Sequence, residues 1–179
     1  RDQLKYIELG SAYLSADEKR ELAIALPNTR LCMHYGLTEA SRSTYLEFNR
    51  DIEYLYTVGK PCSSVDLKIM DDSGLEVSCG VEGEICIAGK HVAKTFINAN
   101  PHELFYGEYF RTGDIGKIDK NGFLTLTGRA KDIINVGGKK LAPIEVEDKV
   151  RDFDNNIELA CVGIVNSSSI LGEEVKLFI

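Results

Sequence analysis

Tyr109-Phe110-Arg111-Thr112-Gly113-Asp114 opens a stretch that runs through a turn to Gly128-Arg129-Ala130-Lys131-Asp132-Ile133-Ile134-Asn135-Val136-Gly137-Gly138-Lys139-Lys140. Between its two halves, Asn121-Gly122 offers residues that tolerate positive φ, so 115–119 and 123–127 are predicted to pair as a β-hairpin closed by a tight primed turn. Asp114 and Arg129 then stand just outside the paired strands, one at each far end. A carboxylate there can accept hydrogen bonds from both hydroxyls of a ribose, and a guanidinium can reach phosphate or ribose oxygens beside it. Gly113 and Gly128 let the backbone come close or turn sharply at those points.

The stretch resembles the adenylate-forming superfamily of acyl-CoA synthetases, nonribosomal peptide synthetase adenylation domains and luciferases. In that family a Tyr-Arg-Thr-Gly-Asp motif carries the ribose-binding aspartate, which the resemblance assigns to Asp114. The Gly-Arg-x-Lys-Asp-x-Ile motif carries a nucleotide-contacting arginine, here Arg129, and a hinge residue between two domains, here Lys131. Gly137 and Gly138 match a glycine loop that borders the pantetheine tunnel. Lys140 matches a position that can face substrate or nucleotide; a plain glycine turn with exposed lysines is the alternative for all three.

Upstream, 5–9 reads as a short buried strand followed by the small-residue turn Gly10-Ser11-Ala12. Ser15-Ala16-Asp17-Glu18 has the spacing of a capping box and is predicted to open a helix through Leu26, which Pro27-Asn28 ends. A second strand over 30–35 completes a strand-helix-strand unit, a piece of parallel α/β sheet that binds ligands at the carboxyl ends of its strands. Gly10, Ser11 and Ala12 match the family segment that lines the adenine and acyl pocket; a plain βα turn is the bland reading. Tyr35-Gly36-Leu37-Thr38-Glu39 matches the family's aromatic-Gly-x-Thr-Glu motif. There Tyr35 offers an aromatic face to adenine, Gly36 a close backbone approach, Thr38 a hydrogen bond to phosphate, and Glu39 a carboxylate for Mg²⁺. His34 is either an acyl-pocket residue or a satisfied core histidine.

From 43 to 89 short alternating segments, Val65-Asp66-Leu67-Lys68-Ile69 among them, are separated by turns such as Asp71-Asp72-Ser73-Gly74 and Ser78-Cys79-Gly80, a pattern of antiparallel barrel or sandwich. Residues 90–100 can form a short helix, with 101–107 a loop, and Lys60, His91 and His102 read as surface residues. Beyond the hairpin come a second ribbon around Gly137-Gly138, a helix over 144–151 with Pro143 as its first residue and a stop before Asp154-Asn155-Asn156, and strands over 157–165 and 174–179. The fold class expected is therefore mixed α/β and β: the end of an α/β subdomain over 1–42, a distorted antiparallel β-barrel subdomain over 43–130, and the truncated start of a C-terminal α+β domain over 131–179.

The 179 residues suffice for a real core. With 21 basic and 28 acidic residues the net charge is -7, which opposes nucleic acid or an anionic bilayer as partner. Cys32, Cys62, Cys79, Cys86 and Cys161 are scattered, without the spacing of a zinc site, and read as reduced thiols of a cytoplasmic protein. No apolar run is long enough to span a bilayer. Both ends read as cut: Arg1-Asp2-Gln3 opens abruptly and Leu177-Phe178-Ile179 stops within an apolar strand.

The resemblance implies ATP (with AMP as product), Mg²⁺ and CoA as cofactors and co-substrates. A small carboxylic acid, fatty or related, would attack the α-phosphate of ATP, and a thiol would then displace AMP. The family's phosphate loop and its C-terminal catalytic lysine are expected upstream of Arg1 and downstream of Ile179, so the chain by itself is expected not to adenylate. Transfer to a carrier-protein thiol, and a non-catalytic nucleotide-binding module, are the competing readings.

Overall fold

The computed structural model describes residues 3–97, 100–151, 153, 157–165 and 172–179. Two compact units emerge, one of Arg1–Thr112 with Gly116–Leu126, the other of Gly113–Ile115 with Thr127–Ile179.

In the first unit β1 (Tyr6–Leu9) leads through α1 (Ala16–Ala25) to β2 (Arg30–Tyr35), and β1 lies parallel to β2 in the register Tyr6↔Arg30 to Leu9↔Met33. The capping box forms as read: Ser15 Oγ accepts from the Glu18 amide at 3.2 Å and Glu18 Oε2 accepts from the Ser15 amide at 2.7 Å. β3 (Thr44–Glu47) runs antiparallel to β2, and β4 (Lys60–Pro61) closes a four-stranded sheet in the order β1-β2-β3-β4.

The rest of this unit is antiparallel. β5 (Val65–Met70) and β6 (Gly83–Gly89) pair throughout. α2 (Pro101–Leu104) and β7 (Phe105–Tyr106) precede the long β8 (Tyr109–Ile118), and β9 (Leu124–Arg129) returns along it; Gly113–Ile115 of β8 and the end of β9 from Thr127 are counted with the second unit. The sheet order is β5-β6-β8-β7 with β9 also on β8, and it curls into a half-barrel. Alternation buries Leu67, Ile69, Ile85, Ile87, Phe110 and Leu124 in one cluster with Leu31, Leu46 and Phe48.

Three local readings need correction. Residues 90–97 form no helix, because Val92 bridges to Ala40 and the Ala93 amide donates to Glu39 O at 2.8 Å, so this β-branched and aromatic segment pairs instead of coiling. The helix falls later, where Asn100 Oδ1 accepts from the His102 amide at 3.1 Å and Pro101 takes the first position. The β8–β9 turn is not a two-residue primed turn: Gly122 has φ 83 and Asn121 is not left-handed. Asp119 N bonds Phe123 O at 3.0 Å, closing a three-residue loop, while Asp119 Oδ1 accepts from the Asn121 and Phe123 amides at 2.8 and 2.9 Å.

The second unit pairs β10 (Ile134–Val136) with β11 (Lys139–Leu141) across Gly137 and Gly138, whose φ values of 59 and 85 make this the primed turn. α3 (Pro143–Arg151) follows, then β12 (Ala160–Val165) antiparallel to β13 (Glu173–Phe178). Glu147 Oε1 accepts from the Cys161 amide at 2.9 Å and ties α3 to β12. The stop read at 154–156 and most of the loop read at 166–172 lie outside the described residues.

Candidate functional site

Sequence-predicted residues of the first unit gather at the carboxyl ends of β1 and β2. Gly10 ends β1 against the imidazole of His34: a Cβ added at Gly10 would fall 2.3 Å from His34 Cε1 and Nε2. Ser11 follows with φ 68, and Ser11 and Ala12 are exposed. Tyr35 is 8% exposed and belongs to the apolar cluster. Leu37 and Ala40 exchange backbone hydrogen bonds at 3.1 and 3.2 Å, a tight turn that lifts Thr38 to the surface and leaves Glu39 half-buried. Among the described residues no cation pairs with Glu39, and no cluster of three metal-binding side chains occurs. One uncommitted carboxylate suits a Mg²⁺ held mainly by phosphate and water oxygens rather than an all-protein metal site.

Glu8 and Arg42 join this group, and the sequence reading missed both. Arg42 Nε donates to Glu8 Oε1 at 2.7 Å, Tyr6 Oη donates to Glu8 Oε2 at 3.0 Å, and His34 Nδ1 stands 3.1 Å from Glu8 Oε1. The Arg42 hydrogen bond, followed by that of Tyr6, holds the Glu8 carboxyl below the usual range. Tyr6-Ile7-Glu8-Leu9 alternates polar with apolar, which was the available sign that β1 has a polar face rather than being buried throughout.

His91 is also not the surface residue expected. Its Nε2 lies 3.0 Å from Ser43 Oγ and the residue is half-buried, because Gly89 leaves room for the ring beside the backbone. His102 is exposed, as read; Lys60 is exposed with its Nζ 4.4 Å from the Phe123 ring centroid. Lys19 is 2% exposed and donates to Leu55 O and Thr57 O at 2.6 and 3.0 Å. Desolvation lowers its pKa to about 8. Its place three, four and seven residues before Leu22, Ala23 and Leu26, all packed on the core, is the signal that could have found it.

In the second unit the two residues that flank the hairpin meet. Arg129 Nε lies 3.2 Å from Asp114 Oδ1; Asp114 is 8% exposed, whereas the Arg129 side chain is 61% exposed. A buried carboxylate oriented by an exposed guanidinium can accept from a diol while the guanidinium reaches for an anion. Lys131 lies exposed in the 3-10 turn Ala130–Asp132, Gly137 and Gly138 form the β10–β11 turn with Asn135 Oδ1 accepting from the Gly138 amide at 3.0 Å, and Lys140 is exposed on β11.

The family of AMP-binding enzymes matches over residues 1–97, and the chain belongs to it, as an acyl-CoA-synthetase-like member of the adenylate-forming enzymes. It is 33% identical to a long-chain-fatty-acid–CoA ligase of Salmonella typhimurium over 99% of this chain and 33% of that protein. Among solved structures it resembles O-succinylbenzoate coenzyme A synthetase from Bacillus subtilis in complex with ATP and magnesium, with TM-score 0.83, 27% identity, and coverage of 97% of this chain and 36% of that one. The amide bond synthetase McbA from Marinactinospora thermotolerans superposes with TM-score 0.85 at 27% identity, over 97% of this chain and 35% of that one. The chain thus spans about a third of the length of the relatives it matches. No helix among the described residues is long and apolar enough to cross a membrane.

Proposed function

We propose that this chain is the nucleotide-handling middle-to-late part of an ATP-dependent acyl-CoA synthetase acting on fatty or related carboxylic acids. The observation that carries the reading is the Asp114–Arg129 pair, a nearly buried carboxylate held at 3.2 Å by an exposed guanidinium where two glycine-flanked strands leave their hairpin. Membership of the AMP-binding family supports it.

The reaction has two halves. The substrate carboxylate attacks the α-phosphate of ATP, a new P–O bond forms as pyrophosphate leaves, and an acyl adenylate results. The thiol of CoA then attacks the acyl carbon, and AMP departs with the bonding pair. No side-chain nucleophile is needed, so fixed donors and cations around the phosphates carry most of the acceleration.

Asp114 accepts from the ribose hydroxyls, and Arg129 orients Asp114 and reaches nucleotide oxygens. Gly10, Ser11 and Ala12 line adenine and acyl group, Tyr35 and Gly36 form a rigid wall for the base, and Thr38 donates to a phosphate. Glu39 supplies the carboxylate for a Mg²⁺ whose chemistry is to neutralise charge on the phosphate oxygens. His34 borders the acyl group, Lys131 is the pivot between the half-reactions, Gly137 and Gly138 border the pantetheine arm, and Lys140 faces substrate in one arrangement. The five free thiols fit a reducing, cytoplasmic setting.

Calorimetric titration of the complete protein with AMP tests the reading. Asp114→Asn is expected to weaken binding about 10- to 100-fold, the range for losing hydrogen bonds to a charged group; unchanged affinity sinks the assignment. Acid-dependent pyrophosphate exchange is expected from the complete protein and not from the 179-residue chain. Thioester formed with CoA distinguishes this enzyme from a carrier-protein ligase, and binding without exchange would mark a nucleotide-binding module.

A further inference from the structure

Among the described residues only two other than glycine have a left-handed backbone, Ser11 at φ 68, which directly follows the Gly10 that abuts His34, and Arg42 at φ 53, which bonds the carboxylate beside His34. Such conformations persist where surrounding contacts impose them, and they gather at functional sites. Here the contacts are specific. Arg42 reaches back across the end of the sheet to place its Nε 2.7 Å from Glu8 Oε1, and the same oxygen stands 3.1 Å from His34 Nδ1. Tyr6 Oη fixes the other carboxylate oxygen at 3.0 Å. On its opposite edge the imidazole lies against Gly10 so closely that any side chain there would collide with Cε1 and Nε2.

His34 is therefore clamped between a carboxylate and a bare stretch of backbone. Its Nδ1 is buried, and at 3.1 Å the contact with Glu8 has the length of a hydrogen bond without yet its alignment. Arg42 and Gly10 carry no acceptor side chain and the Tyr6 hydroxyl is engaged with the other Glu8 oxygen, so the carboxylate at 3.1 Å is the acceptor that the ring proton faces.

We infer that Glu8 is a positioning residue, anchored by Arg42, that fixes His34 with its proton on Nδ1 and its Nε2 edge over Gly10, and so sets the wall against which the acyl group is selected. The inference rests on the reading of His34 as an acyl-pocket residue; neither Glu8 nor Arg42 belongs to the nucleotide set Gly10, Ser11, Ala12, Tyr35, Gly36, Thr38, Asp114 and Arg129, nor is either the proposed metal carboxylate Glu39.

Two measurements test it. In the 179-residue chain, nitrogen-15 NMR of the His34 ring should report a single tautomer protonated on Nδ1, and Glu8→Ala should release it to a mixture. Arg42→Gln, which leaves the carboxylate in place but unanchored, should give an intermediate spectrum and serves if Glu8→Ala does not fold. A ring signal indifferent to both substitutions overturns the inference. In the complete enzyme, Glu8→Ala should lower kcat/KM for the preferred acid about tenfold, as for loss of one pocket contact, with KM for ATP unchanged. An equal loss toward acid and ATP would mean that Glu8 only holds the sheet together, and would also overturn it. If the complete protein forms no adenylate with any acid while the tautomer responds as stated, it is the proposed reaction that fails and the Glu8–His34 assignment that stands.

Discussion

In the first unit Leu31, Leu46, Phe48, Ile85, Ile87 and Leu124 are fully enclosed in one apolar cluster, whereas the second encloses only Ile134, Ala142 and Cys161 among its described apolar residues, and α3 buries none. The difference decides what each can carry. A deep core lets the first unit shut the Lys19 ammonium away from water with two backbone carbonyls as its partners. The second relies on a glycine turn, a few hydrogen bonds and one buried carboxylate with its arginine. With so few enclosed apolar side chains, its segments are expected to open at lower free energy than those of the first unit, as moving parts do. That suits the pivot role proposed for Lys131.

Core truncations break the comparison most sharply. Phe48→Ala should cost the first unit about 3–5 kcal/mol in urea unfolding, as for a fully buried aromatic. Amide exchange within β10 and β11 should be unaffected if the units open separately, and loss of protection in both would show one cooperative body instead. Ile134→Ala should cost about 2–4 kcal/mol, less in absolute terms, yet it removes the largest enclosed side chain of its unit. Protection at Val136, Cys161 and Leu177 should vanish while β5 and β6 stay protected.

Lys19 sharpens it by pH. Its folded pKa, lowered to about 8 by desolvation, lies below its unfolded value near 10.5, so in that window the unfolded chain binds more protons than the folded one. Stability of the first unit should then rise as pH increases from about 8 to 10.5, by at most about 3.5 kcal/mol at roughly 1.4 per pKa unit. As pH falls through 8 that gain is lost. Lys19→Met should abolish the rise, and a pH slope unaltered by the substitution would refute the assignment. No comparable rise is expected in the exchange protection of the second unit.

How far the sequence disclosed all this depends on the range of the interactions. α1 was legible because Ser15 and Glu18 satisfy each other within one turn, and the parallel β1–β2 pair follows from placing that helix between two strands. Asp114 and Arg129 were legible as a pair because a hairpin makes them neighbours. Glu8 was not, since its partner Arg42 is 34 residues away and reaches it only through a left-handed turn that no residue type announces. Lys19 finds its carbonyls 36 and 38 residues on, and His91 finds Ser43 across 48 residues. Asn121-Gly122 misled for a different reason: the Asp119 carboxylate captures two turn amides and favours the longer loop over the dipeptide's own preference.

The smallest effect is the most discriminating, because the same substitution can be made in one turn of each unit. Gly122 and Gly138 have φ values of 83 and 85, and nothing lies within 4 Å of where a Cβ would stand, so alanine at either meets conformational strain and no collision. The local cost should be about 1 kcal/mol at both. In the first unit that is a small fraction of the stability of a continuous core, and exchange of β8 and β9 amides through global opening should quicken only about fivefold. In the second unit the turn is itself among the few ordering elements, so the same cost should bring amides of Asn135 to Leu141 close to unprotected exchange. Equal residual protection after both substitutions would mean that the second unit is far more stable than its enclosed side chains suggest, and would remove the physical basis for treating it as the mobile one.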